Sequence, residues 1–167
     1  MIRKKVPFYG LFLALALILS YIESLLPLPF GVPGMKLGLA NLMMLLMLAL
    51  VSPWEAVLLN LGRILLVGFL FGNAASIAYS LGGAFLSFCC MWLLYRTKWF
   101  SIVTVSIVGG VAHNLGQLFV AWSLLGGIRL YWYAPPLMAC GAVTGMLIGI
   151  GAAELIPRLS VFLRTEI

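Results

Sequence analysis

The sequence predicts an all-α integral membrane protein with six transmembrane helices. Of the 167 residues, 64% are hydrophobic and 8% are charged, whereas a soluble domain carries about 25% charged residues. The mean hydropathy is +1.18. Apolar runs of about twenty residues, long enough to cross a bilayer as a helix, recur along the whole chain. They leave no room for a separate soluble domain, so one transmembrane domain over residues 1–167 is predicted.

Each span is predicted from an apolar run and from the polar or helix-breaking residues that bound it. In chain order, the predicted spans cover residues 7–26, 37–51, 54–71, 74–95, 99–125 and 132–156. The first follows a basic start without a small-residue cleavage site, which favours an uncleaved helix over a secretory signal. The second is short, and the third contains Asn60, Gly62 and Arg63. Short or interrupted spans often line the substrate site of a transporter.

The segment PLPFGVPGMKLGLANL, residues 27–42, separates the first two apolar runs and contains three of the eight prolines. Proline restricts φ and lacks an amide donor, and glycine permits close backbone approach. Within a membrane, irregular backbone is tolerated only where protein or a water-filled cavity surrounds it. We interpret the segment as the cover and rim of a binding site, and an ordinary turn between two spans is the alternative.

The basic residues set the predicted orientation. With both termini in the cytoplasm, seven basic residues lie inside, Lys36 and Arg129 lie outside, and Arg63 lies within a span. The seven are Arg3, Lys4, Lys5, Arg96, Lys98, Arg158 and Arg164. Because cytoplasmic loops carry the excess of Lys and Arg, an N-in, C-in topology is predicted. The net charge of +6 is therefore a topology signal, and no nucleic-acid binding is expected.

The polar residues of the predicted spans converge on the outer half of the membrane. Asn60 and Arg63 lie near the middle of the third span, one turn apart on one face. His113 and Gln117 are also one turn apart, on the fifth span. The predicted substrate-binding residues are Lys36, Asn41, Asn60, Arg63, His113, Asn114 and Gln117. Cations, amides and an imidazole suit a ligand with an anionic group and a hydrogen-bonding body.

Arg63 and His113 each have a structural role as the alternative to ligand binding. A charged side chain at the centre of a membrane helix costs about 2.5–3.5 kcal/mol, so Arg63 should face protein or water. Glu23, near the outer end of the first span, is its predicted ion-pair partner. A structural ion pair and a substrate contact are both open as roles for Arg63. For His113, the alternative is a histidine that bridges two helices.

Small residues on the first span predict a surface that packs against another subunit. Gly10 and Ala14, and likewise Ala16 and Ser20, have the four-residue spacing that lets two helix backbones approach closely. The same spacing on the sixth span is assigned to internal packing, and its residues are Gly141, Gly145 and Gly149.

Absent residue types exclude several enzyme classes. The chain contains no Asp and only four scattered Glu, so it cannot build the carboxylate cluster that holds Mg²⁺ during prenyl transfer. It has no G-x-x-x-x-G-K-[ST] loop for ATP. Three Cys and one His are too few for a zinc or iron–sulfur site. We therefore expect a binding and permeation protein, not an enzyme, with no catalytic residue, metal or cofactor.

Three motifs resemble a known family. They are GVPGMKLGLANLMMLLMLAL (31–50), NLGRILLVGFLFG (60–72) and GGVAHNLGQL (109–118). They look like the Gx transporter family, which is also labelled heptaprenyl diphosphate synthase component I. That family is similar to the substrate-binding S components of energy-coupling factor (ECF) transporters. The resemblance covers nearly the whole chain.

The resemblance implies an ECF S-component-like bundle of six helices in a bacterial plasma membrane. Its implied partners are a membrane coupling subunit and two cytoplasmic P-loop ATPases, and its implied cargo is a small, anionic, vitamin-like or isoprenoid-related metabolite. In S components, small residues of the first helix meet the coupling protein. The candidates here are Gly10, Ala14, Ala16 and Ser20. The alternative is a noncatalytic membrane component associated with a heptaprenyl diphosphate synthase.

Overall fold

The computed structural model describes residues 2–25, 38–39, 41–126 and 132–166. Six helices make up nearly all of this part of the chain, and it contains no strand. The helices are α1 (Ile2–Leu25), α2 (Asn41–Leu50), α3 (Pro53–Phe71), α4 (Ala74–Thr97), α5 (Ile102–Leu125) and α6 (Ala134–Glu166). The prediction of an all-α fold is confirmed.

Five of these helices are long and apolar enough to cross a membrane, which makes the chain a multi-pass membrane protein. The five candidate spans are Val6–Leu25, Pro53–Phe71, Ala74–Thr97, Ile102–Leu125 and Ala134–Val161. The remaining helix, α2, has ten residues. At 1.5 Å per residue it is about 15 Å long, half of the roughly 30 Å hydrocarbon core. The six-span count and the N-in, C-in topology stay predictions.

Local capping sets the ends of α4 and α5. The side chains of Asn73 and Ser101 accept the backbone N–H groups of Ser76 and Thr104, at 2.8 and 3.1 Å. Each bond satisfies one N–H that the first turn of a helix leaves free. At its other end α5 stops at Gly126, whose φ of 64° lies in the left-handed region.

Glycines bring α4, α5 and α6 into backbone contact. A Cβ atom at Gly145 would lie 2.6 Å from the Ser106 carbonyl oxygen, and one at Gly83 would lie 2.8 Å from the His113 carbonyl oxygen. Such separations are too short for any side chain, so these helices can approach this closely only at glycine. The predicted internal packing of the α6 glycines is confirmed, because Cβ atoms at all three would meet α5.

The short helix α2 lies at the centre of the described fold. It contacts each of the other five helices, and six consecutive side chains, from Met43 to Leu48, are buried. A helix that is apolar on every face is stable only where protein or lipid surrounds it. This position brings Asn41, the first residue of α2, into the interior of the bundle.

Candidate functional site

Arg63 lies inside the bundle with only 3% of its surface exposed. Its Nε donates to Asn60 Oδ1 at 2.9 Å, and its Nη1 donates to Ser20 Oγ at 3.1 Å. The three-residue spacing of Asn60 and Arg63 puts both side chains on one face of α3. The guanidinium is therefore held by polar groups of α1 and α3, as the high cost of a charge in hydrocarbon requires.

Glu23 connects α1 to the start of α2. Its carboxylate is buried and accepts the backbone N–H groups of Gly38 and, at 3.3 Å, Leu39. Glu23 and Arg63 also attract each other electrostatically. Arg63 donates hydrogen bonds to Ser20 and Asn60, and a direct ion pair between Glu23 and Arg63 stays a prediction.

His113 and Gln117 form a second pair of buried polar side chains, both on α5. Gln117 Nε2 lies 2.8 Å from His113 Nε2. The four-residue spacing puts the two side chains one turn apart on α5, within hydrogen-bonding distance. His113 therefore adds a buried polar side chain to the interior of the bundle.

Gly38 lies beside polar side chains of α1, α2 and α5. Its N–H donates to Glu23, and its φ is +91°. A Cβ atom at this position would lie 2.9 Å from Asn41 Nδ2 and 3.2 Å from His113 Cδ2. Glycine is therefore required both by the backbone conformation and by the space available. We call the residues that meet here, Glu23, Gly38, Asn41 and His113, the Gly38 cluster.

Asn41 is the member of the Gly38 cluster with unused hydrogen-bonding capacity. It is 4% exposed, and neither its Oδ1 nor its Nδ2 has a hydrogen-bond partner in the described part of the chain. Burying an amide without partners costs roughly 1–3 kcal/mol. A fold that accepts this cost is expected where a ligand supplies the missing partners.

Asn114 has a partly structural role. Its Nδ2 donates to the Leu137 carbonyl oxygen at 2.7 Å, which links α5 to α6. Its Oδ1 is buried and, within the described residues, has no hydrogen-bond partner. Lys36, Arg129 and the predicted cover at residues 27–36 lie outside the described residues.

The four small residues proposed for docking do not share one face of α1. Gly10 and Ala14 are exposed, and nothing lies within 4 Å of a Cβ atom placed at Gly10. Ala16 and Ser20 are fully buried; Ala16 belongs to the apolar core, and Ser20 bonds to Arg63. Only Gly10 and Ala14 are thus accessible to another subunit, and docking through them stays a prediction.

Three further residues belong to the site, although no sequence pattern predicts a role for them in it: Ser20, Gly38 and Met44. A signal was present for Ser20, which lies three residues before Glu23 and therefore on the same helix face. Gly38 lies in the segment interpreted as a rim, but its contact with His113 depends on how α2 packs against α5. Met44 accepts from Asn60 Nδ2 through its sulfur at 3.2 Å, and no sequence pattern indicates this contact.

Replacing Gly38 by Ala is expected to lower the free energy of unfolding by about 1–3 kcal/mol. The cost comes from the positive φ and from the Asn41 and His113 atoms that the new methyl group would displace. Thermal unfolding in detergent measures the effect. Gly62→Ala is the matched control, because nothing lies within 4 Å of a Cβ atom at Gly62. Equal unfolding temperatures of Gly38→Ala and Gly62→Ala would contradict the close packing of the Gly38 cluster.

A family model described as heptaprenyl diphosphate synthase component I matches residues 12–155. No curated protein and no solved structure matches the chain. The matched range contains all three sequence motifs and every described residue of the site, so the family resemblance is confirmed. The chain belongs to the heptaprenyl diphosphate synthase component I family.

Proposed function

We propose that this protein is the substrate-binding membrane subunit, or S component, of an ATP-driven ECF-type uptake transporter. The observation that carries the proposal is the Gly38 cluster, in which the buried Asn41 amide has no partner within the described residues. Only 8% of the chain is charged, yet two charged side chains of the described residues, Glu23 and Arg63, are buried inside the bundle. Intramembrane ionisable residues are typical of substrate and ion pathways.

The proposed substrate is a small metabolite with an anionic group. The guanidinium of Arg63 and the amides of Asn41 and Asn60 supply donors for such a group. The imidazole of His113 suits a hydrogen-bonding group in the rest of the molecule. Substrate is taken up from outside the cell and leaves on the cytoplasmic side after the bundle reorients.

The proposed partners are a membrane coupling subunit and two cytoplasmic P-loop ATPases. The chain has no P-loop of its own, so a transporter built on it requires ATPases from elsewhere. Gly10 and Ala14 are exposed on α1, where they offer a surface on which a helix of the coupling subunit can pack closely. The protein binds and transports without catalysing a reaction, in a bacterial plasma membrane.

The name of the matched family favours a second candidate function. In that reading the chain is a noncatalytic membrane component associated with a heptaprenyl diphosphate synthase. The two candidates differ in their partners, because the synthase reading requires a soluble, Asp-rich prenyl synthase subunit instead of ATPases.

Affinity purification from native membranes in mild detergent, followed by protein mass spectrometry, distinguishes the two functions. We expect a membrane coupling protein and two P-loop ATPases to copurify with the wild-type chain. Ala14→Trp should reduce their recovery at least tenfold, because the indole prevents close helix approach. Val143→Trp, at an exposed position of α6, should not. Recovery of a prenyl synthase subunit without ATPases would contradict the transporter function.

A further inference from the structure

A groove of about 180 Å³ lies between α3 and α4 and opens at the side of the bundle. Its rim is formed by exposed apolar side chains, including Leu61, Leu81 and Phe85. Both helices are candidate membrane spans, so this opening faces the hydrocarbon of the bilayer. A molecule that enters here must present an apolar surface.

The base of the groove contains one polar residue, Asn60, which is 5% exposed. Its Oδ1 accepts from Arg63 Nε at 2.9 Å. This charge-assisted bond polarises the amide and makes its Nδ2–H groups stronger donors. Within the described residues, the acceptor for Nδ2 is the sulfur of Met44 at 3.2 Å. A thioether is a weak acceptor, so an oxygen atom would bind this donor better.

The groove also includes a residue of α2. Met44 lies at its base and is three residues after Asn41 on α2, which puts both side chains on one face of that helix. One residue that lines the groove therefore lies one helical turn from Asn41.

We propose that the substrate is an amphiphile whose hydrocarbon tail occupies this groove and whose anionic oxygen binds Asn60 beside Arg63. This inference rests on the proposed function and adds the substrate class to it. An apolar cavity of about 150 Å³ holds a molecule the size of benzene, so the groove accommodates a short, branched hydrocarbon group. A phospholipid acyl chain alone offers no acceptor to the Asn60 donor, which favours the substrate as the occupant.

Equilibrium binding of radiolabelled geranyl phosphate to the full chain in nanodiscs tests this inference, with empty nanodiscs as the background. We expect inorganic phosphate to compete at least tenfold more weakly than unlabelled geranyl phosphate, because it has no tail. Leu61→Trp, which fills the groove, and Asn60→Leu, which removes the donor, should each weaken binding at least tenfold. Leu93→Trp, at an exposed position of α4 outside the groove, should leave binding unchanged.

Two results would overturn the inference. One is equal competition by inorganic phosphate and geranyl phosphate. The other is wild-type affinity of Leu61→Trp for geranyl phosphate, which would show that bilayer lipids and not the substrate occupy the groove. Partner recovery from the same variants separates this failure from failure of the proposed function. If ATPases copurify but inorganic phosphate competes as well as geranyl phosphate, the amphiphilic substrate is excluded and the transporter function stands. Groove-dependent binding without ATPases overturns the transporter function and supports the groove as the ligand site.

Discussion

Replacing Arg63 by Ala is expected to lower the free energy of unfolding in detergent by about 3–5 kcal/mol. The substitution removes the donors to Ser20 and Asn60 and a positive charge that attracts the buried Glu23 carboxylate. Losing one member of a buried charge pair is costly because the other member stays desolvated. Unfolding by titration with a denaturing detergent measures the change.

Two further variants test the cause of this loss. Arg158→Ala removes a cation that pairs with Glu154 at 3.3 Å on the exposed surface of α6, and it should change stability by less than about 1 kcal/mol. Adding Glu23→Gln to Arg63→Ala should recover at least about 1 kcal/mol, because the uncompensated charge is then absent. If the double variant were no more stable than Arg63→Ala, the electrostatic coupling of Glu23 to Arg63 would be excluded.

Replacing Gly145 by Leu is expected to destabilise the bundle by about 3 kcal/mol or to prevent its folding. A Cβ atom at this position would lie 2.6 Å from the Ser106 carbonyl oxygen and 2.8 Å from Ile107 Cα. Both are backbone atoms of α5, so no rotamer change can relieve the clash, and overpacking of this kind costs about 1–3 kcal/mol or more.

Gly151→Leu is the matched control on the same helix, since nothing lies within 4 Å of a Cβ atom at Gly151. It should unfold at the wild-type temperature or above, because Leu is a better helix former than Gly. Thermal unfolding of the two variants under identical conditions gives the comparison. A Gly145→Leu protein as stable as Gly151→Leu would exclude backbone contact between α5 and α6.

The positions of the long helices were predictable because hydrophobic length determines them. The fourth predicted span, residues 74–95, corresponds to α4 at Ala74–Thr97, and the capping side chain of Asn73 explains the agreement at its start. The second span was predicted at residues 37–51, whereas α2 is Asn41–Leu50. An apolar run predicts burial, but it cannot distinguish a membrane span from a short helix surrounded by other helices.

The pairs within the site were predictable where one helix carries both residues. The spacing of Asn60 with Arg63, and of His113 with Gln117, places each pair within hydrogen-bonding distance. Contacts between helices were not predictable, because they depend on the rotation of each helix about its own axis. For this reason the four-residue spacing predicts Ser20 on a docking surface, whereas the Ser20 side chain accepts a hydrogen bond from Arg63 inside the bundle.

The most direct test of the binding site compares small molecules extracted from wild-type and Asn41→Leu protein, both purified from native membranes. Because the Asn41 amide has no hydrogen-bond partner in the described part of the chain, Leu should leave the free energy of unfolding unchanged or raise it. We predict that wild-type protein carries a metabolite in near-equimolar amount and that the folded Asn41→Leu protein carries at most a tenth as much. Equal amounts in the two proteins, or no metabolite in either, would contradict the assignment of the Gly38 cluster as the ligand site.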